Sequence, residues 1–254
     1  MRIKANNNML RNSNYRYLLH YLVIVTALIF TFFIFSYALS DVPTQGNISI
    51  IVKYRGTPPE PTPLKLKKAI SLCGVENIPN ETLIINNRNE IMNALVYVKG
   101  APGTVQPEDY TLKNQDCIFS PHVGFATKGG KLIMTNEDEI MHNTHAYFVV
   151  GKMKKTILNI ALPKGTKPIT NTRAFRTNGH IKVQCDSHEW MAASIIVLDH
   201  PYHGITDDTG KTEIKNVPTG EYDLVVFHET IGEQTQKVKV EAGKTVEVIF
   251  EMSN

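Results

Sequence analysis

Residues 181–198 read IKVQCDSHEWMAASIIVL, and a polar loop separates two apolar ends. The first five residues alternate between apolar and other side chains, so Cys185 ends a predicted strand on the face that looks into a core. The four apolar residues at the other end predict a second strand. Between the strands, the loop offers the imidazole of His188 and the thioether of Met191. A thiolate, an imidazole and a thioether are the soft, mixed ligands that favour copper in a trigonal electron-transfer site.

Such a site needs a second imidazole, which must come from a distant strand. Residues 142–148 read HNTHAYF and contain two candidates, His142 and His145. An offset of three residues puts these two side chains on opposite faces of a strand, so one cannot simply replace the other. A further histidine, His122, is a candidate ligand for a separate second metal.

Together these two segments resemble the cupredoxin (type 1 blue copper) family, most closely its amicyanin and plastocyanin-like members. The resemblance covers roughly residues 120–199 and rests on a His-Asn-x-His-aromatic strand followed by Cys-x-x-His-x-x-Met. It implies a single type 1 copper ion bound by His142, Cys185, His188 and Met191. The family order thus favours His142 over His145.

Two neighbours of these ligands have expected supporting roles. The resemblance implies that Asn143 ties the two ligand segments together. Trp190, the only tryptophan, lies between two predicted ligands and is expected to form a hydrophobic lid over the metal. Because the resemblance gives Cys185 to the metal, it also implies that the other two cysteines, Cys73 and Cys117, form a disulfide bond.

The first 40 residues form a leader that contains four basic residues and no acidic one. Its uncharged run, residues 21–39, is just long enough to span a bilayer. The basic residues before this run predict that the chain after Asp41 is exported, to the periplasm or the extracytoplasmic face of the membrane. Residues 38–40 also fit a cleavage site, so the predicted helix is a signal peptide or, as we favour, an uncleaved membrane anchor.

Charge outside the leader gives no sign of nucleic-acid binding. The formal net charge of the whole chain is +3, and the four leader residues account for it. Residues 151–185 contain no acidic residue but many basic ones: Lys152, Lys154, Lys155, Lys164, Lys167, Arg173, Arg176 and Lys182. This stretch is either an ordinary solvated face or a docking surface for an acidic redox partner protein, whose approach it would steer.

Short apolar runs at regular spacing, separated by turn residues, predict an all-β chain. We assign residues 46–199 to a cupredoxin-like Greek-key β-sandwich, with its ligands at one end. Residues 200–254 carry Thr-Asp-x-x-Gly and Val-Pro-x-Gly-x-Tyr motifs, which are similar to the carboxypeptidase regulatory-like, prealbumin-type domain. We therefore predict a second, separate small β-sandwich that takes no part in metal binding.

These features predict an exported type 1 copper protein that mediates one-electron transfer. The alternative is a periplasmic copper carrier or copper-sensing protein, which the second sandwich favours because an electron shuttle does not need one. We do not expect an enzyme. The sequence lacks the His-x-His pairs of multicopper oxidases and the second loop cysteine of a binuclear copper site.

Overall fold

The structure, a computed structural model, describes residues 44–60, 64, 73, 78 and 80–253. The helix predicted within residues 1–40 lies outside these ranges. In the described part of the chain, no helix is long and apolar enough to cross a bilayer. The described residues form β-strands joined by turns, which confirms the all-β prediction.

The strands fall into two β-sandwiches, and their bounds in chain order are as follows. They are β1 (Gln45–Tyr54), β2 (Leu95–Lys99), β3 (Tyr110–Gln115), β4 (Ile118–Ser120), β5 (Val123–Thr127), β6 (Leu132–Asn136), β7 (His142–Val150), β8 (Met153–Leu162), β9 (Ile169–Asn171), β10 (Gly179–Gln184), β11 (Ala192–Leu198), β12 (His203–Ile205), β13 (Lys211–Pro218), β14 (Gly220–His228), β15 (Gly232–Val240) and β16 (Thr245–Met252).

The first sandwich, called here the ligand sandwich, contains every predicted metal ligand. One sheet has the strand order β5-β11-β10-β7-β8 and the other has the order β4-β3-β6-β9. Alternate residues of β10 and β11 fill its core, as the sequence pattern predicts. Strands β7 and β10 pair antiparallel. The beginning of β7 therefore lies beside the end of β10, which brings the two ligand segments to one edge of the sheet.

The second sandwich, called here the C-terminal sandwich, corrects the predicted domain boundaries. Its sheets have the orders β13-β1-β16 and β12-β2-β14-β15, so β1 and β2 belong to it and not to the ligand sandwich. Strand β1 lies between β13, with which it is antiparallel, and β16, with which it is parallel. The ranges 46–199 and 200–254 are thus not two separate sandwiches. The physical reason is that residues 200–254 alone bury too little apolar surface, and β1 and β2 complete their core.

The two sandwiches share a buried apolar layer. Odd and even residues of β11 point to opposite sides: Ile195 packs in the ligand sandwich core, whereas Ile196 packs against Leu95 of β2. Both faces of β2 are buried in the same way, with Val96 in the core of the C-terminal sandwich. Burial on both faces explains why these strands read as continuous apolar runs and not as alternating ones.

We expect acid to weaken the contact between the sandwiches, because neutral buried histidines lie at it. The ring of His180 packs on Phe227, and His203 stacks on Phe125. Burial is the main cause that lowers the pKa of His180, His203 and His228 to about 4. An unfolded histidine titrates near pH 6.5. Between pH 6.5 and pH 4 the unfolded chain therefore binds more protons, and the free energy of unfolding falls as the pH falls.

Urea unfolding of the metal-free protein at several pH values measures this loss, which is at most about 3 kcal/mol per histidine. His122 provides a control, because its pKa is shifted in the opposite direction and its effect on stability has the opposite pH dependence. Burial lowers its pKa, but the hydrogen bond and charge of Glu229 outweigh burial and raise it overall. This ion pair stabilises the fold below pH 6.5 and is lost as the pH rises through the raised pKa. Glu229→Gln should therefore destabilise the protein at pH 6 more than at pH 9. A free energy of unfolding that stays flat from pH 6.5 to pH 4 would contradict the prediction.

Candidate metal centre

Three of the four predicted ligands meet at one buried point. His142 begins β7, Cys185 directly follows β10, and His188 lies in the loop before β11. A ring nitrogen of each histidine and the sulfur of Cys185 all lie within 4.8 Å of one another, and all three residues are buried. Since β7 and β10 are hydrogen-bonded neighbours, the sheet itself fixes the separation of the two segments.

Both imidazoles point the same ring nitrogen into this cluster. His142 Nδ1 lies 2.9 Å from His188 Nδ1, and Cys185 Sγ lies 3.6 Å from His188 Nδ1. Burial is the main cause that lowers the pKa of both histidines. Lowered pKa values favour neutral imidazoles, which have a lone pair to offer a metal ion. Two such nitrogens and one cysteine sulfur fit the equatorial donor set of a type 1 copper site.

Asp138 fixes which nitrogen His142 offers. Its carboxylate accepts a hydrogen bond of 2.7 Å from His142 Nε2, so Nδ1 is left as the electron-pair donor that faces Cys185. The same carboxylate accepts backbone N–H groups from Asp116 at 2.7 Å and from Cys117 at 3.0 Å. The sequence interpretation missed Asp138. The only local feature of the sequence that could have indicated its role is its position four residues before the candidate ligand His142.

The loop from Cys185 to Met191 closes on itself through its backbone. The amide of Cys185 donates to the carbonyl of Met191 at 3.2 Å, and the amide of Met191 donates to the carbonyl of His188 at 2.9 Å. These bonds place the backbone of Met191 beside that of Cys185. Both residues are buried in the core of the ligand sandwich, where the side chain of Met191 is fully shielded from solvent.

Asn143 links the two ligand segments through its side-chain amide. Its Oδ1 accepts the backbone N–H of Asp186 at 2.8 Å and lies 3.3 Å from the sulfur of Cys185. Its Nδ2 donates to the carboxylate of Asp186 at 2.9 Å and to Asn159 at 2.8 Å. The start of β7 is thereby fastened to the residue that follows the predicted thiolate ligand.

Trp190 lies between His188 and the disulfide bond. Its ring centroid is 5.1 Å from that of His188, and its Nε1–H donates to the backbone carbonyl of Cys117 at 2.9 Å. Cys117 forms the predicted disulfide with Cys73, at a Cα–Cα distance of 6.0 Å. The bond lies in a small apolar cluster, separate from the main core, with Leu64, Ile78, Ile118, Ile140 and Trp190.

The other candidate histidines lie away from the three-residue cluster. His145 Nδ1 pairs with the carboxylate of Asp186 at 3.0 Å, and its Nε2 lies 3.1 Å from the hydroxyl of Thr156. His122 contacts the carbonyl of Ala192 and the carboxylate of Glu229. Among the described residues, neither histidine belongs to a group of three potential metal ligands.

Comparison with solved structures finds cupredoxins among the similar folds. A purple cupredoxin from Nitrosopumilus maritimus is 21% identical, with a TM-score of 0.30, over 35% of this chain and 100% of its own. Amicyanin from Paracoccus versutus is 16% identical, with a TM-score of 0.29, over 41% of this chain and 97% of its own. A copper-containing nitrite reductase from Thermus scotoductus is 18% identical, with a TM-score of 0.30, over 41% of this chain and only 26% of its own.

Sequence comparison gives a different match for the C-terminal part of the chain. Residues 176–248 match the family described as polysaccharide lyase family 4, domain II. This segment runs from just before β10 into β16, so it spans parts of both sandwiches. The prealbumin-type assignment predicted for residues 200–254 is not among the families matched. No curated protein matches the sequence significantly.

Proposed function

We propose that this chain is an exported type 1 copper protein that transfers single electrons and is not an enzyme. The observation that carries the proposal is the convergence of His142 Nδ1, His188 Nδ1 and Cys185 Sγ in one buried cluster. These three atoms would hold one copper ion. The thioether of Met191, at the end of the closed loop, would be a fourth and weaker ligand.

The surrounding residues supply what electron transfer requires of a protein site. When bound, copper in such a ligand set accepts or donates one electron. His142 is held by Asp138, and the segments that carry His142 and Cys185 are held together by Asn143. Ligands fixed in this way move little when the charge of the site changes. Burial keeps water away from the sulfur, and burial and hydrogen bonds at the ligands tune the reduction potential.

The optical spectrum of the copper-loaded full chain tests this proposal. We expect an intense thiolate-to-copper absorption in the visible region, and reversible oxidation and reduction without loss of the metal. A copper carrier or sensor, the alternative function, would release copper or change its coordination on reduction. A protein loaded with Cu(II) that stays colourless, or that cannot be cycled, would refute the electron-transfer proposal.

We further propose a redox partner protein with an acidic surface. Strand β8 is at the edge of its sheet, and the side chains of Lys152, Lys154 and Lys155 are exposed at its start. Long-range attraction between such a face and an acidic partner raises the association rate and weakens with salt. Electron-transfer rates with the partner should therefore fall as ionic strength rises. Salt-independent rates would exclude this docking mode.

Two further parts of the proposal concern the cellular location of the copper centre and the fold family of the C-terminal sandwich. We place the copper centre on the periplasmic or extracytoplasmic side, with the leader as a membrane anchor if it is not cleaved. Protease treatment of intact spheroplasts should digest the copper domain if this is correct. We propose that residues 200–254 contribute a prealbumin-like part to the C-terminal sandwich. The Asp207 turn, whose carboxylate accepts the backbone N–H groups of Thr209 and Lys211, supports this proposal.

A further inference from the structure

The backbone of one disulfide cysteine contacts the supports of both imidazoles. The N–H group of Cys117 donates to Asp138, and Asp138 in turn binds His142 Nε2. The carbonyl group of Cys117 accepts the indole N–H of Trp190, whose ring packs on His188. A single peptide segment therefore lies behind both nitrogen ligands, each through one intervening side chain.

The conformation of this segment is unusual for its residue types. Asp116 and Cys117 both have left-handed backbone angles, with φ of 54° and 56°. These two residues form the tight turn between β3 and β4, whose antiparallel pairing closes it with Gln115 opposite Ile118, and a two-residue turn of this kind requires positive φ at both positions. Cysteine rarely adopts this conformation. It directs two successive N–H groups at the carboxylate of Asp138. The disulfide to Cys73 fastens the same residue from the other side.

We propose that the Cys73–Cys117 disulfide is a positioning element of the metal centre, acting through Asp138 on His142 and through Trp190 on His188. Together with the pairing of β3 and β4, the bond keeps residues 116–117 in the conformation that holds the Asp138 carboxylate in place, and the carboxylate holds the proton of His142 on Nε2. Without the disulfide, residues 116–117 relax. His142 then rotates or exchanges its tautomer, and its Nδ1 is no longer fixed towards Cys185.

The proposal rests on the proposed function only for its copper measurements. In the metal-free protein, the ring ¹⁵N chemical shifts of His142 report which nitrogen carries the proton. We expect a proton on Nε2 in the native chain and a mixture of both tautomers in the double variant Cys73→Ser/Cys117→Ser. In the copper-loaded protein, we expect the dissociation constant of the double variant to rise by roughly 10-fold to 100-fold, as is typical when support of a ligand is lost. The absorption maximum should also shift.

Two single variants separate the effect that acts through Asp138 on His142 from the effect that acts through Trp190 on His188. They remain informative if the double variant does not fold. Asp138→Asn keeps the size of the side chain but removes its charge, and should alter the His142 ring signals. Trp190→Phe keeps an aromatic ring but removes the hydrogen bond to Cys117, and should alter the ring signals of His188 and leave those of His142 nearly unchanged.

Ile50→Ala in β1 is the matched control, because it removes buried side-chain volume from the C-terminal sandwich and lowers stability without touching the metal centre. It should leave the tautomer, the copper affinity and the absorption maximum unchanged. The proposal is overturned if the disulfide-free variant keeps native ring signals and copper affinity, or if Ile50→Ala shifts them equally. If the native chain binds no copper as a type 1 site, the proposed function fails, and the ring signals still decide the positioning role.

Discussion

Cys185→Ser is expected to abolish the visible colour of the copper-loaded protein completely. The intense absorption of a type 1 site arises from charge transfer between a thiolate sulfur and copper, and Cys185 is the free cysteine of the chain. A serine hydroxyl is close in size but is a hard ligand that does not replace a thiolate. The measurement is the visible spectrum after copper loading. Met191→Ala is the companion variant, which should retain copper and colour but shift the reduction potential.

Two histidine variants make the assignment of the first imidazole testable. His142→Ala should remove the type 1 spectrum, because its Nδ1 is part of the buried cluster. His145 lies three residues away on the same strand and pairs instead with Asp186. His145→Ala should therefore leave the spectrum nearly intact. The reverse result would make His145 the ligand and the assignment of His142 wrong, even if the protein binds copper.

Truncation after Asp199 is expected to unfold strands β1 and β2 and not merely to remove an accessory domain. The cut removes both sheet neighbours of β1 and both sheet neighbours of β2. Five fully buried side chains lose their core partners: Ile48, Ile50, Val52, Val96 and Val98. Exposing five such side chains costs on the order of 10 kcal/mol, which is as large as the stability of a typical domain.

Solubility and near-ultraviolet circular dichroism of the truncated chain measure this effect. A chain of residues 100–199 that carries Cys117→Ser is the control, because it leaves no half of the C-terminal sandwich behind. The substitution is needed because this chain lacks Cys73, the disulfide partner of Cys117. We expect residues 44–199 to aggregate more than residues 100–199. If residues 44–199 were soluble, with native tertiary signals and native copper stoichiometry, residues 200–254 would be dispensable as the sequence first suggested.

The sequence by itself determined the local features of this protein. Alternation in 181–185 placed Cys185 at the end of a strand on its core face, because a pleated backbone turns successive side chains to opposite sides. The spacing of Cys185, His188 and Met191 put three candidate ligands in one short loop, whatever the rest of the chain does. The offset of His142 and His145 separated them onto opposite faces for the same reason. Each of these inferences concerns residues that are close along the chain.

Only the tertiary structure decided which distant segments meet. The alternation of β1 shows that one of its faces is buried, but it does not show that β13 and β16 are its neighbours. The role of Asp138 could not be read from the sequence either. It depends on the left-handed backbone of Asp116 and Cys117, which aims two N–H groups at one carboxylate. Pairing between segments depends on the path of the whole chain and on the total apolar surface that must be covered, and neither quantity is encoded in a local pattern.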